Sequence, residues 1–141
     1  MRIRFNKENR STFPYWFAHW CAYNMTALNL GAWKFRYLFH DIEKPFLKLF
    51  LPYKTVQYIH RRIHPHHGEF YLKHGWLFWE DLVIDWECSH FTKQQSPWDA
   101  VDVLPKEVQK LFDLGATYEQ ADIFRDKASE AIRKLGLNEN R

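Results

Sequence analysis

The chain has 141 residues, enough for one domain that buries roughly two-thirds of the surface of its unfolded form, and too few for two independent cores. Hydrophobic residues at 46% and aromatics at 18% exclude a disordered chain, and a formal charge of +3, from 20 basic and 17 acidic side chains, is too slight to argue for nucleic acid. That charge is uneven: residues 1–98 hold 13 Lys and Arg against 8 Asp and Glu, net +5, while residues 99–141 hold 7 against 9, net −2, so an anionic ligand is drawn to the N-terminal part.

Residues 1–11 form a polar, basic arm without the apolar core of a signal peptide. Ser11 or Thr12 caps a first helix with Pro14 in its opening turn, running from Tyr15 to about Leu30. Trp16, Phe17, Trp20, Tyr23, Ala27 and Leu28 recur there at three- and four-residue intervals, and His19 shares the face of Trp16 and Tyr23. Gly31 ends it, and a second helix is expected from Ala32, with Trp33, Tyr37 and the pair His40-Asp41 along one strip. Pro45 is expected to push Lys44 out of helical geometry and to force a turn or a fresh short helix. Lys54 to Ile63 reads as a short helix closed by Pro65, residues 66–75 show little pattern, and Trp76 to about Phe91 reads as a strong helix with Phe78, Leu82, Asp85 and Ser89 on one strip.

Residues 92–98 are a polar linker, and two further helices are expected over Lys106–Leu114 and Tyr118–Leu135, the second capped by Thr117 and ended by Gly136. Nothing alternates with period two. The expectation is therefore a single all-α domain, a compact bundle of five to seven helices, with its core over 13–91 and a C-terminal helical extension, 99–141, packed as a lid or brace. Cys21 and Cys88 form no CxxC pattern and read as reduced interior residues, and apolar runs are broken by Lys or Pro short of spanning length. A cytoplasmic protein with no membrane partner follows as the default, and a homodimer is allowed but not required.

Six of the eight histidines lie between positions 40 and 74. Imidazole and carboxylate suit borderline divalent ions such as Mn, Fe, Co, Ni and Zn. The chain offers one set per helix: His19; His40 and Asp41; His60; His66 or His67; and Asp85. Each has a plainer reading. His19 can be a hydrogen-bonded core histidine, His40 a helix C-terminal residue favoured by the dipole, and Asp85 a buried partner of Arg36 or Lys44. At least one of His64, His66 and His67 is expected to face solvent, His74 and His90 read as surface residues, and Lys44, Arg61 and Arg62 as a solvated face.

A lone His on the first helix, a His-Asp doublet 21 residues later, further histidines, and an Asp 44 residues beyond the doublet resemble the HD superfamily of metal-dependent phosphohydrolases. His40-Asp41-Ile42-Glu43-Lys44 looks like the HDxGK variant with Glu for Gly, and His60 followed by His66-His67 resembles the later elements of members that bind two or more metals. The whole layout, with its Asp85-Trp86 ending, is similar to a small HD-like family of unassigned function from bacteria and their phages, over about residues 13–91. No Gly-Tyr-Pro follows His66-His67, which removes the argument for a cyclic-dinucleotide phosphodiesterase of that subclass.

The resemblance implies one or two divalent ions held by His19, His40, Asp41 and Asp85, with His60 and His66 or His67 completing a second position and Asp41 as the bridge. It implies hydrolysis of a nucleotide or another small phosphate ester by metal-activated water, with Lys44, Arg61 and Arg62 on phosphate and Glu69 orienting the water or an imidazole. Two other classes remain open: a di-iron oxygenase on the same scaffold, distinguished by iron analysis after anaerobic purification, and a non-catalytic nucleotide-binding or interaction module, distinguished by binding without turnover.

Overall fold

The chain, described from a computed structural model over residues 4–6, 8–93 and 99–137, is all-α. The helices are α1 Phe13–Asn29, α2 Glu43–Leu47, α3 Tyr53–Ile63, α4 Gly68–His74, α5 Trp79–Thr92, α6 Ala100–Asp113 and α7 Tyr118–Lys134. Short 3-10 turns occupy Glu8–Ser11 and Phe35–Phe39. Among the described residues the only strand-like pairing is a single bridge between Phe5 and Lys93, and no helix is long and apolar enough to cross a membrane. The expected linker 92–98 falls mostly on residues 94–98, outside the described residues.

Helix α5 is the axis of the bundle. It packs against α1 on one side and against α6 and α7 on the other. The larger apolar core joins α4, α5, α6 and α7 through Leu82, Val83, Trp86, Leu111, Phe124 and Ile132. A smaller one joins α1 to α5 through Tyr23, Ala27, Tyr37, Ile84 and Cys88. The C-terminal pair is thus a brace that supplies much of the interior.

Local chemistry explains the helix starts. Thr12 accepts the Tyr15 N–H at 3.4 Å to cap α1, Asp99 accepts the Asp102 N–H at 2.9 Å to cap α6, and Thr117 and Gln120 close a reciprocal capping box on α7.

Four expectations need correction. The segment after Gly31 is a single 3-10 turn because α1 takes its carbonyls: Trp20 Nε1 donates to Leu38 O at 2.9 Å, Asn24 Nδ2 to Tyr37 O at 3.1 Å and Trp16 Nε1 to Asp41 O at 2.8 Å. Lys44 is helical after all. Pro45 is the third residue of α2, where its missing N–H has no intrahelical acceptor to lose. The weakly patterned stretch holds α4, whose Gly68 lets α6 approach so closely that a Cβ there would stand 2.9 Å from Leu111 Cδ2. Helix α6 begins at Ala100 and runs through Pro105, and its first N–H is further secured by Glu87, whose Oε2 accepts it at 2.8 Å.

Candidate metal centre

The polar residues of α1, α3 and α5 turn inward to meet the corner between the 3-10 turn and α2. His19, His40, Asp41, His60 and His66 are all buried. Asp41 sits at the corner with φ of 56°, a left-handed conformation that costs most residues strain and that Asp tolerates better than most. The Trp16 indole on its carbonyl fixes that corner from α1.

Around Asp41 the donor atoms converge. His60 Nε2 stands 3.1 Å, His66 Nε2 3.4 Å and His40 Nε2 3.5 Å from Asp41 Oδ1. On the other flank, His19 Nε2 is 3.1 Å from Asp85 Oδ1, 3.2 Å from His40 Nε2 and 3.6 Å from Asp41 Oδ2. Donors bound about 2.0–2.2 Å from one ion stand roughly 3 to 3.5 Å from each other, so these spacings suit coordination. Two adjacent groups lead, His19, His40 and Asp41, and His60, His66 and His67, with His19, Asp85 and Cys88 and Glu43, His60 and His64 as two further sets.

Hydrogen bonding does not account for the second group. Asp41 Oδ1, His60 Nε2, His66 Nε2 and His67 Nε2 are buried and have no hydrogen-bond partner. Buried polar atoms are ordinarily satisfied, and four orphaned lone-pair donors around one point are what a cation would satisfy. These His and Asp clusters can therefore hold a metal ion.

The supporting contacts set tautomers and charge. Glu43 accepts the His60 Nδ1–H, which directs Nε2 at Asp41, and its Oε1 is also 3.1 Å from His64 Nε2. Burial alone would lower the His60 pKa, but Asp41 and Glu43 outweigh burial and raise it. The Tyr23 ring stacks on His40 at 3.7 Å, and Cys88 Sγ lies 3.9 Å from His19 Nδ1. Burial alone would raise the Asp41 pKa, but the charges of His40, Lys44 and His60 outweigh it and hold the carboxyl well below its usual range. Burial acts the same way on Asp85 and is outweighed by His19 and His40. Burial pushes His66 and His67 down, so both present neutral nitrogens, and pushes the Cys88 thiol up, so it stays protonated.

Lys44 Nζ donates to Asp41 Oδ2 at 2.8 Å. Arg61 and Glu69 stand 3.8 Å apart beside the centre and line one cavity with His67 and Asp85. Arg62 turns back on its own helix, its guanidinium over the Tyr58 ring and on the Tyr58 carbonyl at 3.1 Å. Of the plainer readings, a pairing of Arg36 with Asp85 gives way to Asp81, which accepts from Arg36 at 2.8 Å and Tyr37 Oη at 2.7 Å. None of His64, His66 and His67 is exposed, and neither is His90, which is half-buried, whereas His74 is at the surface. Sequence reasoning missed Glu43 as the carboxylate on His60; its signal was a charged residue where the resembled motif has Gly.

Two cavities flank the centre. One of about 310 Å³ reaches His19, Asp41 and Lys44 and is walled by Phe13, Tyr15, Trp16 and Tyr53. The other, of about 450 Å³, reaches His67 and Asp85 and is lined by Arg61, Lys93, Lys106 and Lys110. No protein-family model matches the chain significantly, nor does any curated protein or solved structure.

Proposed function

We propose that this protein is a metal-dependent phosphohydrolase acting on a nucleotide or another small phosphate ester. The observation that carries the reading is the set of orphaned atoms Asp41 Oδ1, His60 Nε2, His66 Nε2 and His67 Nε2 next to the His19, His40 and Asp41 group, donor clusters able to hold one or two ions. Nitrogen and oxygen donors without a thiolate favour Mn, Fe, Co, Ni or Zn over softer ions. A divalent ion bound here lowers the pKa of a coordinated water toward about 7 and polarises a phosphoryl oxygen.

The chain's own residues do the rest. Asp41 would offer its carboxylate oxygens to bound ions, and Lys44 balances the charge at Oδ2. Glu43 keeps His60 in the ligating tautomer. The larger cavity is lined by Arg10, Arg61, Lys93, Lys106 and Lys110 against Glu69, Asp85 and Glu107, an excess of positive charge that would favour a phosphate beside the centre. The test is a phosphate-ester panel assayed with each of the five metals, beside metal analysis of the purified protein. Turnover that needs the metal and disappears in Asp41→Ala supports the reading. Full metal occupancy with no turnover on any ester overturns it.

A further inference from the structure

Large apolar side chains left in solvent are densest along one segment, residues 35–50. Phe35, Phe39, Ile42, Phe46, Leu49 and Phe50, all exposed, lie on the 3-10 turn, α2 and the turn that follows, and Leu49 and Phe50 keep 76% and 84% of their surface. Phe13 and Phe17 of α1 are exposed too, and α1 is tied to the same segment by the Trp16 and Trp20 indoles. Patches of this kind mark a contact surface.

The charge around them has one sign. From Ser11 to Gly68 the sequence contains two carboxylates, Asp41 and Glu43, and both face inward onto histidines. Glu80 and Asp81 of α5 answer Lys34 and Arg36, and Glu69 of α4 answers Arg61. Lys48 and Lys54, both exposed, stand within and just after the Phe46 to Phe50 turn. A two-fold dimer through this face would bring the same basic patch together from both copies, a like-charge juxtaposition that disfavours it.

We propose that this face docks on an anionic lipid bilayer. Phe and Leu enter the boundary between headgroups and acyl chains, and the lysine stems lie along it with their ammonium groups on lipid phosphates. Contact is from one side and needs no spanning helix. Continuity with the centre supports it. The 310 Å³ cavity that reaches His19 and Asp41 is also lined by Pro45, Lys48 and Leu49, so it opens beside the docked face.

Docking needs no metal, so its test is separate from any hydrolytic activity. The full chain is sedimented with vesicles of phosphatidylcholine and phosphatidylglycerol mixed equally, and with phosphatidylcholine alone. The wild type pellets with the mixed vesicles only, and at low salt more than at high. Phe46→Ser/Phe50→Ser, which alters two exposed side chains outside both cavities and keeps the helical circular dichroism, binds at least about tenfold more weakly, and Lys48→Glu/Lys54→Glu abolishes the preference for anionic lipid. Failure of the wild type to pellet, or equal binding by Phe46→Ser/Phe50→Ser, overturns the proposal. So does a wild-type dimer that ignores vesicles and becomes monomeric in that variant, since the face would then join two copies.

Discussion

The two sides of α5 have different interiors. Toward α1, a small apolar cluster of Tyr23, Ala27, Ile84 and Cys88 adjoins buried imidazoles and carboxylates, several of them without a hydrogen-bond partner. Toward α6 and α7, the buried groups are Leu82, Val83, Trp86, Leu111 and Phe124, packed as an apolar core. An unsatisfied buried polar atom costs about 1–3 kcal/mol, so the first side is built at the expense of stability that the second side supplies. One helix carries both: Asp85 and Cys88 face the histidines, and Leu82 and Trp86 face the brace. The contrast teaches that the C-terminal helices allow a polar centre to exist in so small a chain.

The sharpest way to break this contrast is at its polar side. Asp41→Ala removes the carboxylate shared by both donor groups. Metal affinity measured by calorimetric titration is expected to fall by more than the roughly 10- to 100-fold that loss of an outer partner costs. Unchanged affinity would mean that the orphaned donors do not form one site.

The next largest effect lies on the other side. Phe124 is fully buried and packs against the rings of Tyr71, Trp79 and Trp86, so Phe124→Ala is expected to lose about 3–5 kcal/mol in denaturant unfolding. The fraction that remains folded keeps its metal stoichiometry. A loss of metal at native stability would show that the brace positions ligands and does not only support them.

Glu43→Gln tests the join between the two kinds of interior, since Glu43 touches the centre only through His60 and His64. Metal affinity is expected to drop by about 10- to 100-fold. Thermal unfolding of the metal-free protein should shift much less than for Phe124→Ala.

Much of this contrast could be read from residue order. The apolar periodicity of α1, α5 and α7 and the caps at Thr12 and Thr117 are local signals, and they place those helices to within a few residues. The inward placing of His19 and Asp85 followed from helical phase and that of His40 and Asp41 from the resemblance, since the helix expected to carry that pair is a 3-10 turn. Non-local contacts were illegible. The 3-10 turn exists because indoles from α1 take its carbonyls, α4 because Gly68 fits beneath Leu111, and the role of Glu43 because α2 and α3 pack together. None of these partners is within reach along the chain.

The smallest expected effect compares two caps. Thr117 both accepts the Gln120 N–H at 3.1 Å and has its own N–H taken by the Gln120 side chain at 2.9 Å, whereas Thr12 accepts a single longer bond at 3.4 Å. Thr117→Ala is expected to cost about 1 kcal/mol, with metal affinity unchanged because α7 carries no ligand. Thr12→Ala costs less in stability, yet it frees the first turn of a helix that presents His19 two turns on. A small stability loss with weakened metal binding for Thr12→Ala, beside a larger loss with intact binding for Thr117→Ala, would separate the two interiors with changes that touch neither core.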